Sequence, residues 1–188
     1  MLDRDAIQSL GFASVGENIQ ISDKASFYGA SRIKIGSNVR IDDFCVLSAG
    51  IGGINIGNFI HIAVGTTLIG KGCITLADFC NLSSRVSVYS SSDDYSGQFM
   101  TNPMIFEDFL GVIHADVSIG KHVIVGCGSV ILPGVELSDG VAIGALSLVK
   151  HSCQEFGIYA GNPAKKIKDR DRNLLSLEER FHQHLIDI

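Results

Sequence analysis

Aliphatic residues recur at every sixth position along most of this chain. From Ile119 the sixth residues are Val125, Ile131, Leu137, Ile143 and Val149. The step recurs upstream in shorter blocks: Ile35, Ile41, Leu47; then Ile56, Ile62, Leu68; then Leu76, Leu82, Val88. A weaker opening block is Ile21, Phe27, Ile33. Two or three extra residues offset the blocks, near Gly52-Gly53 and Lys71-Gly72. Four residues after each aliphatic position the side chain is often small or β-branched, as at Val39, Cys45, Thr66, Cys80, Val123 and Ser129. One residue after it, Gly, Ala, Asp or Ser is common, as at Gly36, Asp42, Ala63 and Gly126.

A helix would repeat at about 3.6 residues, and a flat sheet would alternate strictly over longer runs. A six-residue step fits a solenoid, in which three short strands close a triangular coil of about 18 residues. The aliphatic residue points inward and stacks on its counterpart one coil away. The small residue fits the corner, and Gly or Asp supplies the turn. Each buried aliphatic side chain contributes roughly 1.5–3 kcal/mol. No single coil can bury its own inner face, so the array folds as a unit. The pattern predicts an all-β parallel β-helix, with coils over residues 11–89 and 117–153 of a single domain spanning 1–188.

Three segments leave the repeat. Residues 2–10 carry Ile7 and Leu10 and read as a short helix covering the open first coil. Residues 90–116 form a long insertion, of a length that is usually functional or disordered. Its Tyr95, Phe99, Met104, Ile105 and Phe106 argue for an ordered loop packed on something. Residues 173–187 read as a C-terminal helix with Leu174, Leu177, Phe181 and Leu185 on one face.

Composition narrows the class. A formal net charge of −5 argues against nucleic acid or an anionic membrane as the main partner. No stretch is long enough to insert in a membrane and none reads as a signal peptide. The five cysteines include no CxxC pair, which suggests neither a disulfide framework nor a zinc knuckle. Cytoplasmic location with reduced thiols is the expectation.

Several strings resemble the hexapeptide-repeat acyltransferases, and more closely the bacterial sugar acetyltransferases of surface-polysaccharide or O-antigen assembly. They are Ile60-His61-Ile62-Ala63, Ser92-Asp93-Asp94-Tyr95-Ser96-Gly97, Thr101-Asn102-Pro103, Val125 to Val135, and Gly157 to Ala164. The resemblance spans roughly residues 20–172. It implies a left-handed β-helix, a homotrimer, and acetyl-CoA as co-substrate in a groove between subunits, with no metal. The acceptor is expected to be a sugar, free, nucleotide-linked or lipid-linked. O-acetylation is the first expectation and N-acetylation of an amino sugar nucleotide the alternative.

A sugar hydroxyl needs a base as it attacks a thioester, and histidine suits that role. His61 sits between the inward Ile62 and the corner Ile60, so its side chain is expected to point outward, and the resemblance implies a base in this context. His114 is the rival, where the loop rejoins the repeat; His122 and His151 follow. The galactoside-type relatives carry a loop histidine that this chain lacks. Asn81, Asp93, Asp94, Tyr95 and Asn102 are candidates for sugar binding, although Asp93-Asp94 also reads as a turn. Gly126 and Ala145 would line the pantetheine arm. Lys150, Lys165 and Lys166, within a basic run reaching Arg172, would meet the CoA phosphates. Two other classes stay open: a γ-class carbonic anhydrase-like zinc enzyme using His61, His114 and His122, and a non-catalytic β-helix scaffold.

Overall fold

The structure is a computed structural model, and it describes residues 1–186. Its strands are two to five residues long and stack into three parallel faces. Together they form a left-handed parallel β-helix. The first face runs from Ser14–Val15 through Ile33–Ile35, Ile54–Ile56, Ile74–Leu76 and Val117–Ile119 to Glu136–Leu137. The second begins at Ile19–Ile21, Val39–Ile41, Ile60–Ile62, Asn81–Leu82 and Ile124–Val125. It continues through Ala142–Ile143 and Gly157–Ala160 and ends on the antiparallel strand Lys165–Asp169. The third runs from Ser26–Tyr28 to Leu148–Val149.

The register explains the period. Ile21, Ile41, Ile62, Leu82, Val125 and Ile143 are cross-strand partners in one inward column. Nearly every aliphatic position of the repeat is buried in the resulting core. The opening block differs from expectation at one residue. Ile33 pairs with Ile54, not with Ile56, and the column continues through Ile35. The cause is a 3-10 turn, Ala30–Arg32, that adds two residues at the corner. Arg32 fills that corner by donating to the carbonyls of Ala49 and Gly50. The extra residues at Gly50–Gly53 and Gly70–Gly72 fall at the same corner, between the third and first faces. So does the insertion at 90–116.

Turn chemistry also differs from expectation. The left-handed backbone position lies three residues after the inward aliphatic, at Asn38, Phe44, Phe59, Gly65, Phe79, Arg85, His122, Gly128, Gly140 and Leu146. The glycines one residue after the aliphatic serve a different end. A Cβ at Gly36 or Gly57 would collide with the next coil, so they permit coil-to-coil approach.

Two helices pack on the solenoid, and the first closes its open end. The first, α1 (Arg4–Ser9), is capped by Asp3, whose carboxylate accepts from Ala6 N at 2.8 Å, and buries Ile7 on the core. The second, α2 (Asn173–Ile186), runs back along the corner between the first and second faces. Residue 187, expected within this helix, lies outside the described residues. At that corner Phe59, Phe79 and His122 stack face to face across successive coils, with centroids 5.0 and 4.9 Å apart. Phe181 of α2 meets Phe59 edge-on at 5.2 Å. Each such ring pair contributes about 0.5–1.5 kcal/mol, which offsets the cost of bulky residues with positive φ. Glu178 of α2 pairs with Lys121, with His122 at 2.7 Å and with His182 at 3.2 Å. Burial pushes its carboxyl up, but those three hydrogen bonds outweigh it and hold the group at about 2. No helix among the described residues is long and apolar enough to cross a membrane.

Candidate active site

Two polar regions stand out. One is an outward column on the second face, in which Gln20, Arg40, His61 and Asn81 are neighbours in register. Outward projection follows from the alternation within Ile60–Ile62, where the flanking isoleucines face the core. His61 Nε2 lies 2.8 Å from Asp42 Oδ2, and Arg40 Nε donates to Asp42 Oδ1 at 2.7 Å. Burial raises the Asp42 carboxyl, but its bonds to His61 and Arg40 prevail and hold it below the usual carboxylate range. Asn81 Oδ1 is buried with no hydrogen-bond partner.

The other region is the inserted loop. It is a hairpin, closed at its base by antiparallel pairing of Ser91–Ser92 with Ile113–His114. His114 Nδ1 lies 2.8 Å from Ser91 Oγ within that base. A cavity of about 520 Å³ separates hairpin from coils, walled by Gly70, Lys71, Asp93, Asn102, Ile105 and His114 among others. A second cavity, about 400 Å³, shares Ser91 and Asp93 and adds Tyr89, Tyr95, Val130 and Pro133. Asp93 therefore borders both. Lys71 Nζ ties the coil to Glu107 of the loop at 3.2 Å.

The anticipated sugar-binding residues divide. Asp93, Tyr95 and Asn102 line the hairpin cavities. Asn81 stands beside His61 instead. Asp94 builds the loop: its carboxylate accepts from Ser96 Oγ and from the backbone nitrogens of Ser96, Gly97 and Phe99. Those bonds, the Ser96 hydroxyl first, hold its carboxyl low. It acts as a turn residue, the plainer of its two readings.

His61 and His114 belong to separate regions of one chain. His122 is committed to Glu178 and to the ring stack. The three histidines of the zinc alternative thus occupy three separate settings. Among the described residues no group of three His, Cys, Asp or Glu side chains is placed to hold a metal ion. The buried cysteines are poor nucleophiles, since burial pushes Cys80 up to about 12 and Cys153 up to about 11.

The basic run also divides. Arg170 donates to the carbonyls of His122 and Gly140, and Arg172 pairs with Glu155 over the Phe156 ring. Both are structural. Lys166 pairs with Asp169 at 2.7 Å. Lys150, Lys165 and Lys168 carry no ion pair among the described residues and remain available to an anion. Gly126 packs against the next coil, and a Cβ there would run into the backbone of Ala145. The Asp42 contact was not anticipated; its only signal was an acidic residue one position after an inward aliphatic on the preceding coil.

A left-handed solenoid of hexads with a hairpin inserted at one corner defines a β-helix of the hexapeptide-repeat type. No protein-family profile matches the chain. It is 56% identical over 180 residues to a dTDP-4-amino-4,6-dideoxy-D-glucose acyltransferase of Escherichia coli, covering 96% of this chain and 94% of that protein. AntD, an N-acyltransferase from Bacillus cereus solved with dTDP and 3-hydroxybutyryl-CoA, superposes with a TM-score of 0.93 at 44% identity. That match covers 98% of this chain and 97% of AntD. A variant of AntD with dTDP and coenzyme A gives the same TM-score, with 97% of both chains covered. The chain therefore belongs to the hexapeptide-repeat β-helix sugar acyltransferases.

Proposed function

We propose that this enzyme transfers an acyl group from an acyl-CoA to the amine of a dTDP-linked 4-amino-4,6-dideoxy sugar. The observation that carries the reading is 56% identity over nearly the full length of a relative of that name. The acceptor is thus a nucleotide sugar and the product an amide. The O-acetylation of a polysaccharide sugar, expected first from the sequence, gives way to the N-transfer alternative.

The residues support a direct transfer. A CoA thioester brings phosphates, which Lys150, Lys165 and Lys168 can meet. The hairpin cavities, bordered by Asp93, Asn102 and Tyr95, suit the nucleotide sugar. His61 is the proposed base. As the amine nitrogen attacks the thioester carbon, His61 takes its proton. The tetrahedral intermediate then collapses, the C–S bond breaks, and the proton passes to the CoA thiolate. Donor and acceptor must meet between two surfaces of the chain, because His61 and the hairpin lie apart. A trimer supplies that meeting: a cyclic interface joins one surface of a subunit to a different surface of the next.

Thiol release from acetyl-CoA should be measured with dTDP-4-amino-4,6-dideoxyglucose and with its 4-hydroxy counterpart. Turnover on the amine alone supports the reading. Turnover on the hydroxyl compound alone would return the enzyme to O-transfer, and none on either would remove the nucleotide sugar as acceptor.

A further inference from the structure

We propose that Lys71 binds the diphosphate of the nucleotide sugar, and that Glu107 is the group it releases when that ligand enters. The inference rests on the reading of the acceptor as a nucleotide sugar, and not on which group takes the amine's proton. It names a cation for the acceptor and a counter-ion, on the inserted hairpin, that the acceptor displaces.

The layout of the two cavities carries it. The larger, about 520 Å³, is bounded on the coil side by Ser48, Ile69 and Lys71. The smaller, about 400 Å³, is bounded there by Tyr89, Val130 and Leu132. Tyr89 is the register neighbour of Ile69, and Val130 that of Leu148. The smaller cavity therefore lies further along the axis, toward the last coils. Lys150, Lys165 and Lys168, which can meet the CoA phosphates, lie beyond it in the same direction. The donor approaches the smaller cavity from that end, and the larger is left to the acceptor. A cavity of that size is ordinary for a bound small molecule. Among the described residues Lys71 is the only Lys or Arg that lines either cavity. A sugar diphosphate is an anion, and lysine meets phosphate as a point charge.

The corner also suits Lys71 to the task. It stands between Gly70 and Gly72, where an added Cβ would strike Ser90 or the Ala115 carbonyl. Lys71 is thus the one residue of that turn with a side chain to extend. Its backbone nitrogen donates to Ser91 Oγ at 2.8 Å, which fixes the stem at the base of the hairpin. Its Nζ lies 3.2 Å from Glu107, with the lysine 53% and the glutamate 87% exposed. Glu107 opens the 3-10 turn Glu107–Phe109 of the hairpin. So exposed an ion pair is weak, and a phosphate oxygen replaces the carboxylate at little cost. The carboxylate, carrying the same sign as the ligand, then moves away.

Two substitutions break the same ion pair and leave opposite charges in the cavity. Titration calorimetry of the full-length protein with dTDP and with coenzyme A separates them. Lys71→Gln removes the cation, and dTDP affinity should fall about 10- to 100-fold. Glu107→Gln removes the competitor, and dTDP affinity should rise about 1.5- to 5-fold. Lys71→Arg should retain most of the affinity, and coenzyme A should bind all three variants as it binds the wild type. Equal weakening by Lys71→Gln and Glu107→Gln would make the pair a mere tie for the hairpin and overturn the proposal. Unchanged dTDP affinity in Lys71→Gln, or a loss that falls on coenzyme A instead, would overturn it too. A wild type that binds coenzyme A but not dTDP would remove the nucleotide-sugar reading itself.

Discussion

Glu178 is where acid should first loosen this molecule. The carboxylate fastens α2 to the coil that follows the insertion, through Lys121 and His122, and also bonds His182 one turn along the helix. It is held at about 2 against an ordinary 4.5, which corresponds to about 3 kcal/mol in favour of the folded chain at neutral pH. Lys121 and His182 are 39% and 50% exposed, and solvent screening brings the figure nearer about 2 kcal/mol. The sign follows from linkage. A depressed carboxyl stabilises above its unfolded value, and the contribution is lost as pH falls from about 4.5 toward about 2. Glu178→Gln should therefore melt about 4–8 °C below wild type at neutral pH. The gap should close as both proteins are titrated toward about pH 2, because the wild-type carboxyl then also becomes neutral. Calorimetry across that range measures it, and hydrogen exchange in α2 shows whether the helix opens before the coils. A gap that is absent at neutral pH, or one that persists unchanged into acid, would show that the Glu178 carboxylate does not fasten the helix.

Other consequences are as specific. Leu82 is fully buried at the centre of its column, and Leu82→Ala should cost about 2–5 kcal/mol by urea denaturation. Gly126→Ala should lower the melting temperature whether or not CoA is present, since the added Cβ strikes the next coil; loss of CoA affinity with unchanged stability would contradict that reading. Asp94→Ala should open the hairpin to limited proteolysis by removing the acceptor of four loop hydrogen bonds, whereas Asp93→Ala should leave the loop intact and reduce kcat/KM for the acceptor.

The repeat was legible because a solenoid core demands one aliphatic residue at a fixed step. Ile119 to Val149 show it without interruption. The corners were read less well. Inward burial constrains side-chain type strongly, whereas a left-handed backbone position accepted Phe59, Phe79 and His122, residues with no turn signature, because their rings stack. The amphipathic face of α2 was visible, but the rings and Glu178 partners that receive it come from coils dozens of residues earlier. Asp42 and His61 are 19 residues apart, about one coil, a relation that only the register reveals. The basic run after the last coil shows the opposite failure. Charge alone grouped these residues, yet Arg170 is engaged by carbonyls and Arg172 by a surface carboxylate, and only geometry separates them from the lysines.

Acyl transfer to an amine and transfer to a hydroxyl differ in the bond formed, and that bond decides between them. The enzyme should be incubated with acetyl-CoA and dTDP-4-amino-4,6-dideoxyglucose, and the product taken for mass spectrometry and NMR before and after hydroxylamine. One added acetyl group is expected on the sugar's C4 nitrogen, resistant to hydroxylamine as an amide. An acetyl group released by hydroxylamine and carried on a sugar oxygen would contradict it.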